Sequence, residues 1–336
     1  MKKPRILLLQ PSGRNPSPLD QSVGARLAAA KGSVRGRIVL ERASFRPGDL
    51  KALQRAVNRW AEKISGIVGA TSVAESTRLG ELCERLGLLC LVSNNNPAVW
   101  NHRKSVFHIG VPTSSTTRAV ANHLLRKVRA KRVYLLHDTT EFQKHVARAT
   151  ASLLDKGGAK VRSKPGLRKN WVDAVRRWKP EALYLIYSSP ALALPLVRKL
   201  RRALPEIPLL LGRSLLREAF LCALGPAAGG VILLDLFRRG APRTKEEGLF
   251  MRAIYKEGIS IPTANHGFGW DAMTLCARAL TAAKGDPLAA IECLESGVLI
   301  DGATGLFRFT KNNHNGRARF NPTTFSRLRN GRVAAC

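Results

Sequence analysis

His137 and Asp138 stand side by side at the end of the apolar run RVYLLHD, and Trp270 and Asp271 set an indole beside an acid in GFGWDAM. An imidazole next to a carboxylate is the kind of pair that moves protons. The spacing argues against it here. Adjacent residues on an extended chain point to opposite sides, so these two do not face a common substrate. The chain has no P-loop, no GxGxxG after a strand, no HExxH and no GxSxG. The expectation is a protein that is not an enzyme and calls for no cofactor.

Binding chemistry is better represented. Ser93-Asn94-Asn95-Asn96 offers hydroxyl and amide groups that can both donate and accept hydrogen bonds, although runs of asparagine also simply make turns. Thr71 and Ser72 follow an apolar run and can cap a helix. Arg213, next to Ser214, suits a carboxylate or another anion.

Strands and helices must position these groups, and they alternate. RILLLQPSG (5–13), ISGIVGATS (64–72), RVYLLHDTT (132–140) and ALYLIYSSP (182–190) each run from an apolar strand into a small or polar loop. Ligands in open α/β sheets sit outside the carboxyl ends of such strands. The pattern predicts strands at 5–10, 37–44, 66–70, 88–92 and 106–112, and helices at 19–31 and 117–129. A helix over DLKALQRAVNRWAEKI should be capped by Asp49, and another should run from about 268 to 283. Strand–helix alternation argues for parallel sheets, and its restart at RVYLLHD argues for two of them.

Length allows two domains, and 45% hydrophobic residues allow a core. Charge is the extreme property: 56 Lys+Arg against 23 Asp+Glu, net +33. Clusters such as RKVRAKR, RRWK, RKLRR and RLRNGR are spread along the chain without a basic-aromatic RNA-binding signature, which reads as a solvated basic surface able to meet an anionic polymer. The six cysteines form no CxxC and mostly lie in apolar stretches, so small buried hydrophobes are expected. No run of 18 apolar residues predicts a membrane span. The opening MKKPRILLLQPSG has too short an apolar run for a secretory signal and reads as a strand. With no export address visible, a cytoplasmic location is the expectation from these residues alone.

Five segments, in order, resemble the type I periplasmic-binding-protein superfamily, specifically the branched-chain amino acid/amide receptors of ABC transporters. They are GIVGATSVAESTRLGELCERLGLLCLVSNNNPAVW, VFHIGVPTSSTTRAVANHL, RVYLLHDTTEFQKHVARA, GFGWDAMTLCARAL and LIDGATGLFRF. The last is the most specific, because its turn glycines and apolar anchors recur at fixed spacing. The resemblance implies an α/β fold of two Rossmann-like lobes with parallel sheets, joined by a three-stranded hinge and closing on a solute in the cleft between them. Crossings would fall near Val111–Thr113, Leu236–Arg238 and Gly302–Leu306. One lobe would then hold residues 1–113 and 239–303, and the other 114–238 and 304–336. Trp270–Asp271 would be structural.

The same resemblance implies the ligand contacts. Ser72 and Val73 fall at the carboxylate-binding serine loop, with Val73 on the serine itself, leaving backbone N–H donors. Ser93, Asn94, Asn95 and Asn96 match the next loop. Phe142 takes the cleft aromatic from the second lobe, without a hydroxyl and followed by Gln143 instead of Gly. Ser189 lies near a second aromatic position and Ser214 near the ammonium-binding acid, with Arg213 beside it. Ser12 borders the cleft. The implied function is a solute receptor for an ABC importer, working in the periplasm with permease subunits and binding an amino acid, amide or related carboxylate by hinge closure. The alternative is a receptor-like regulator, or a protein resembling the envelope activators of peptidoglycan synthases, which share the fold and would meet a protein or anionic polymer.

Overall fold

The apolar runs of the sequence become the buried inner strands of two separate sheets in the computed structural model, which describes residues 2–13, 16–69, 72–165, 171–317, 321–329 and 332–335. The chain divides into unit 1, Met1–Pro112 with Pro242–Pro322, and unit 2, Thr113–Ala241 with Thr323–Cys336.

Unit 1 opens with β1 (Arg5–Pro11), α1 (Pro16–Lys31), β2 (Val39–Phe45), α2 (Leu50–Trp60), β3 (Gly66–Gly69), α3 (Val73–Leu86), β4 (Leu89–Val92) and β5 (Val106–His108). These strands form one parallel sheet in the order β2-β1-β3-β4-β5. β3 and β4 are buried throughout and read as continuous apolar runs, as strands covered on both faces must. Edge strand β2 alternates instead. Asp49 caps α2 by accepting the Ala52 N–H at 2.8 Å, and Leu53 and Val57, one turn apart, enter the core with Ile67, Leu79 and Cys90.

Unit 2 begins with α4 (Thr113–Asn122), β6 (Arg132–His137), α5 (Glu141–Lys156), β7 (Lys160–Pro165), α6 (Trp171–Trp178), β8 (Ala182–Ile186), α7 (Pro190–Ala203), β9 (Leu209–Leu211), α8 (Glu218–Leu224) and β10 (Ile232–Asp235). β7, β6, β8, β9 and β10 pair in parallel. Helix α4 starts earlier than the Ser/Thr cluster suggested. Thr117 lies buried inside it with its hydroxyl on the Ser114 carbonyl, and the helix gives way to a π turn, His123–Lys127.

The chain then returns to unit 1 with α9 (Lys245–Lys256), α10 (Ala264–Ala282), α11 (Pro287–Glu295) and the hairpin β11 (Ile300–Gly302)–β12 (Gly305–Phe307), and ends in unit 2 with β13 (Thr324–Arg329) and β14 (Arg332–Ala335). β13 and β14 extend the second sheet antiparallel, so that sheet is not purely parallel. Helix α10 packs on α1 by backbone approach: a Cβ on Gly24 would lie 1.8 Å from the His266 carbonyl oxygen, and one on Gly269 1.8 Å from that of Gln21.

Residues 304–322 were expected with the second lobe and instead belong to unit 1. The reason is a buried ion pair. The Asp271 carboxylate accepts the N–H groups of Ala303 and Thr304 and the Thr304 hydroxyl. Arg317 reaches Asp271 at 3.4 Å and donates to the carbonyls of Ile109 and Thr304 at 3.0 and 2.9 Å. Its guanidinium lies 4.0 Å from the centre of the Phe307 ring. Burial raises the Asp271 pKa to about 6 even against Arg317 and these hydrogen bonds. Asp271 thus does structural work, pinning the Gly-Ala-Thr-Gly turn.

Three of the cysteines, Cys83, Cys90 and Cys276, are buried as expected, whereas Cys222 and Cys293 are exposed; Cys336 lies outside the described residues. Among the described residues no helix is long and apolar enough to cross a membrane.

Candidate functional site

In unit 1 the residues named as candidate contacts lie on the loops after β1, β3 and β4. The Ser12 N–H and hydroxyl both donate to the Phe45 carbonyl, at 2.7 and 3.0 Å, tying the end of β1 to that of β2. Exposed Ser72 caps α3, its Oγ accepting the Glu75 N–H at 3.2 Å. Val73 opens that helix and is 47% exposed. The first N–H groups of a helix have no intrahelical carbonyl, so this end favours an anion. Thr71 lies outside the described residues.

The Ser93–Asn96 loop is largely self-organised. The Ser93 hydroxyl donates to Gln21 at 3.4 Å. Asn94 accepts the Asn96 N–H at 2.9 Å, and Asn96 accepts the Ala98 N–H at 3.1 Å. The Asn95 amide meets Nε2 of buried His108 at 3.2 Å, whose Nδ1 meets Asn315 at the same distance. The imidazole stacks on Trp100, centroids 3.9 Å apart. Burial, with some help from the Arg317 charge, lowers the His108 pKa to about 3 against the Asn315 hydrogen bond. A neutral imidazole has one N–H and one lone pair, so one of the two amides presents its NH2. Gly110 is required beside it: a Cβ there would lie 2.5 Å from the Ser93 carbonyl oxygen and 2.6 Å from His108 Nε2.

In unit 2 the loops after β6, β8 and β9 come from neighbouring strands of the sheet. Thr140 caps α5 by accepting the Gln143 N–H, and Phe142, in the first turn, is 52% exposed. Ser189 caps α7 through the Leu192 N–H at 3.4 Å. Asp138 joins two of these loops. One carboxylate oxygen takes the Ser188 N–H and hydroxyl, the other those of Thr140. Burial opposes the charge, but these hydrogen bonds outweigh it and hold the carboxyl below its usual range. The His137 ring turns to the Asp138 backbone carbonyl at 2.8 Å and not to its carboxylate, which removes the geometry a proton-transfer pair needs.

Half-buried Arg213 opens a single turn after β9, and Ser214 beside it is exposed. Arg213 Nη2 donates to the Thr116 hydroxyl at 2.9 Å, while its Nε is buried and meets no acceptor. Burial lowers its pKa to about 10, with Tyr184 and Asp235 opposing. Asp235 is occupied elsewhere, accepting Arg239 at 2.9 Å, the Ser326 hydroxyl at 3.0 Å and the Leu236 N–H at 2.7 Å. No carboxylate of the described residues pairs with Arg213. Sequence reasoning missed His108 and Asp138 as organisers of these loops; the polar residues after each strand were the available signal for Asp138. Among the described residues no three His, Cys, Asp or Glu side chains gather as a metal would need.

Helix N-termini and polar loops follow the carboxyl ends of the parallel strands in each unit. A family profile described as Periplasmic binding protein matches residues 23–331. The chain belongs to that family. The fold of this periplasmic binding protein is shared with solved structures. A leucine binding protein, LivK, from Thermotoga maritima MSB8 is 18% identical, with a TM-score of 0.78 over 99% of this chain and 97% of that one. The branched-chain amino acid transporter substrate binding protein LivJ of Streptococcus pneumoniae, solved with isoleucine, is 16% identical, with a TM-score of 0.78 over 99% and 98%. A solute binding protein of an ABC transporter from R. palustris, solved with benzoate, is 17% identical, with a TM-score of 0.75 over 99% and 95%. A search of curated proteins finds no match.

Proposed function

We propose that this chain is the solute receptor of an ABC importer and takes a small carboxylate with an apolar body. The observation that carries this reading is a shared oddity of the two units. Each leaves an apolar side chain exposed in the first turn of a helix at the carboxyl edge of its sheet, Val73 on α3 and Phe142 on α5. Folding gains nothing from such exposure, whereas a solute with an apolar body does. Arg213 sets the sign of the charge, being a half-buried cation without a carboxylate partner where Ser214 offers no acid for an ammonium group. In this reading the two units close on the solute, the N-terminus of α3 and Arg213 serve its carboxylate, and Phe142 covers its apolar part. Catalysis is no part of the role. Transport needs delivery to the periplasm and a permease that accepts the closed form.

The test is a thermal-shift screen followed by calorimetry on the purified chain with leucine, isoleucine, amides, benzoate and dicarboxylates. A ligand at a hundred times its Kd stabilises the folded protein by about 2.7 kcal/mol, which raises Tm by several degrees. The expected result is a response to a monocarboxylate that Arg213→Met removes while the free protein stays folded. Silence across the panel, or undiminished binding by Arg213→Met, overturns the reading.

A further inference from the structure

We propose a second ligand site within unit 2: a groove between the His123–Lys127 turn and strand β13 that takes a small organic anion with a planar apolar body. The groove has a volume of about 560 Å³ and is made entirely of unit 2 residues. That volume falls within the usual range for small-ligand sites. None of the residues assigned to the imported solute lines it, so this proposal stands apart from the one above.

Its walls follow from strand geometry. Phe325 and Arg327 are two residues apart on β13 and so share a face, which sets an aromatic ring beside a guanidinium. Phe325 stacks directly on His123, centroids 3.9 Å apart and planes 20° from parallel, and both rings line the groove. Ile232, paired with Arg327 across the ladder, adds apolar floor. A flat apolar body continues this stack.

Charge selects an anion. Lys127, Arg238 and Arg327 all line the groove, and no Asp or Glu does. Arg327 Nε is buried and meets no acceptor, a state that favours a ligand oxygen. Burial, then the charges of Arg327 and Lys127, lower the His123 pKa to about 4, so near pH 7 the ring is neutral and stacks without adding charge.

The test uses two fluorescent probes on the full chain. One is 8-anilinonaphthalene-1-sulfonate; the other is N-phenyl-1-naphthylamine, which has the same fused rings and no sulfonate. The expected result is saturable binding of one sulfonate probe per chain, at least tenfold tighter than the neutral probe. Arg327→Gln should weaken the sulfonate probe about tenfold and leave the neutral probe unchanged. Lys127 and Arg238 are exposed, so the double variant Lys127→Gln/Arg238→Gln tests the same charge without touching the core and should weaken the sulfonate probe several-fold. Phe142→Ala should leave its affinity unchanged, which separates this groove from the solute site. Equal affinity for both probes, sulfonate binding indifferent to both charge variants, or loss of it in Phe142→Ala overturns the proposal.

Discussion

Asp138 receives both the N–H and the hydroxyl of Ser188 on one carboxylate oxygen, at 2.8 and 2.6 Å. The two residues follow neighbouring strands, β6 and β8, so the carboxylate fixes one strand-end loop against the next. Asp138→Ala leaves four donors without their acceptor and should cost about 2–4 kcal/mol. Urea unfolding measures it. A loss below about 1 kcal/mol would mean that water replaces the carboxylate and that the clamp contributes little.

Phe142 gives the opposite profile. It is 52% exposed, so Phe142→Ala should change the stability of the free protein by no more than about 0.5 kcal/mol. Affinity for the solute should fall about tenfold, about 1.4 kcal/mol, from lost apolar contact. Calorimetry and thermal unfolding on the same samples separate the two effects.

His108 makes unit 1 sensitive to acid. Its folded pKa of about 3 lies below the unfolded value of about 6.5, so the unfolded chain binds the proton first as pH falls. The stabilisation is complete well above pH 6.5 and is lost progressively towards pH 3, on the order of 5 kcal/mol in all. Asp271, raised to about 6, works the other way: its folded form takes up a proton first, which offsets part of the loss between about pH 6 and pH 4. Comparing wild type with His108→Asn across that range isolates the histidine. Parallel stability curves for the two would refute this account.

The contact between α1 and α10 leaves no space for a methyl group. Gly24→Ala or Gly269→Ala should destabilise unit 1 by about 3 kcal/mol, because the new carbon meets a backbone carbonyl that no side-chain rotation can move. Hydrogen exchange should show lost protection along both helices. Unchanged protection would show that the helices slide apart at little cost.

What could be read from the sequence followed the reach of the interactions. Strands β3 and β4 were legible because burial on both faces writes an unbroken apolar run. Asp49 and Ser72 were legible as caps because their partners lie three residues away. The 304–322 segment was placed with the wrong unit because its anchors, Asp271 and the Ile109 carbonyl, are distant in the chain. The antiparallel β13 and β14 lie beyond the repeating strand–helix pattern and carried no comparable signal. Within the site, Ser189 and Phe142 were named for their loops, but that Ser189 caps a helix while Phe142 stands exposed depends on packing that spacing does not encode. His108 went unnoticed because its partners, Asn95 and Asn315, meet only after folding.

Helix α10 also bears on how the protein is made. It backs onto β3, where Gly66 faces Cys276 and Leu280. Yet β3 leaves the ribosome long before α10, and the whole Thr113–Ala241 stretch is translated in between. The nascent first sheet must keep an oily face open during that interval, while the later-born unit already has all but the two antiparallel strands at one end of its sheet. Unit 2 should mature first, and the N-terminal sheet is the part that a chaperone would shelter.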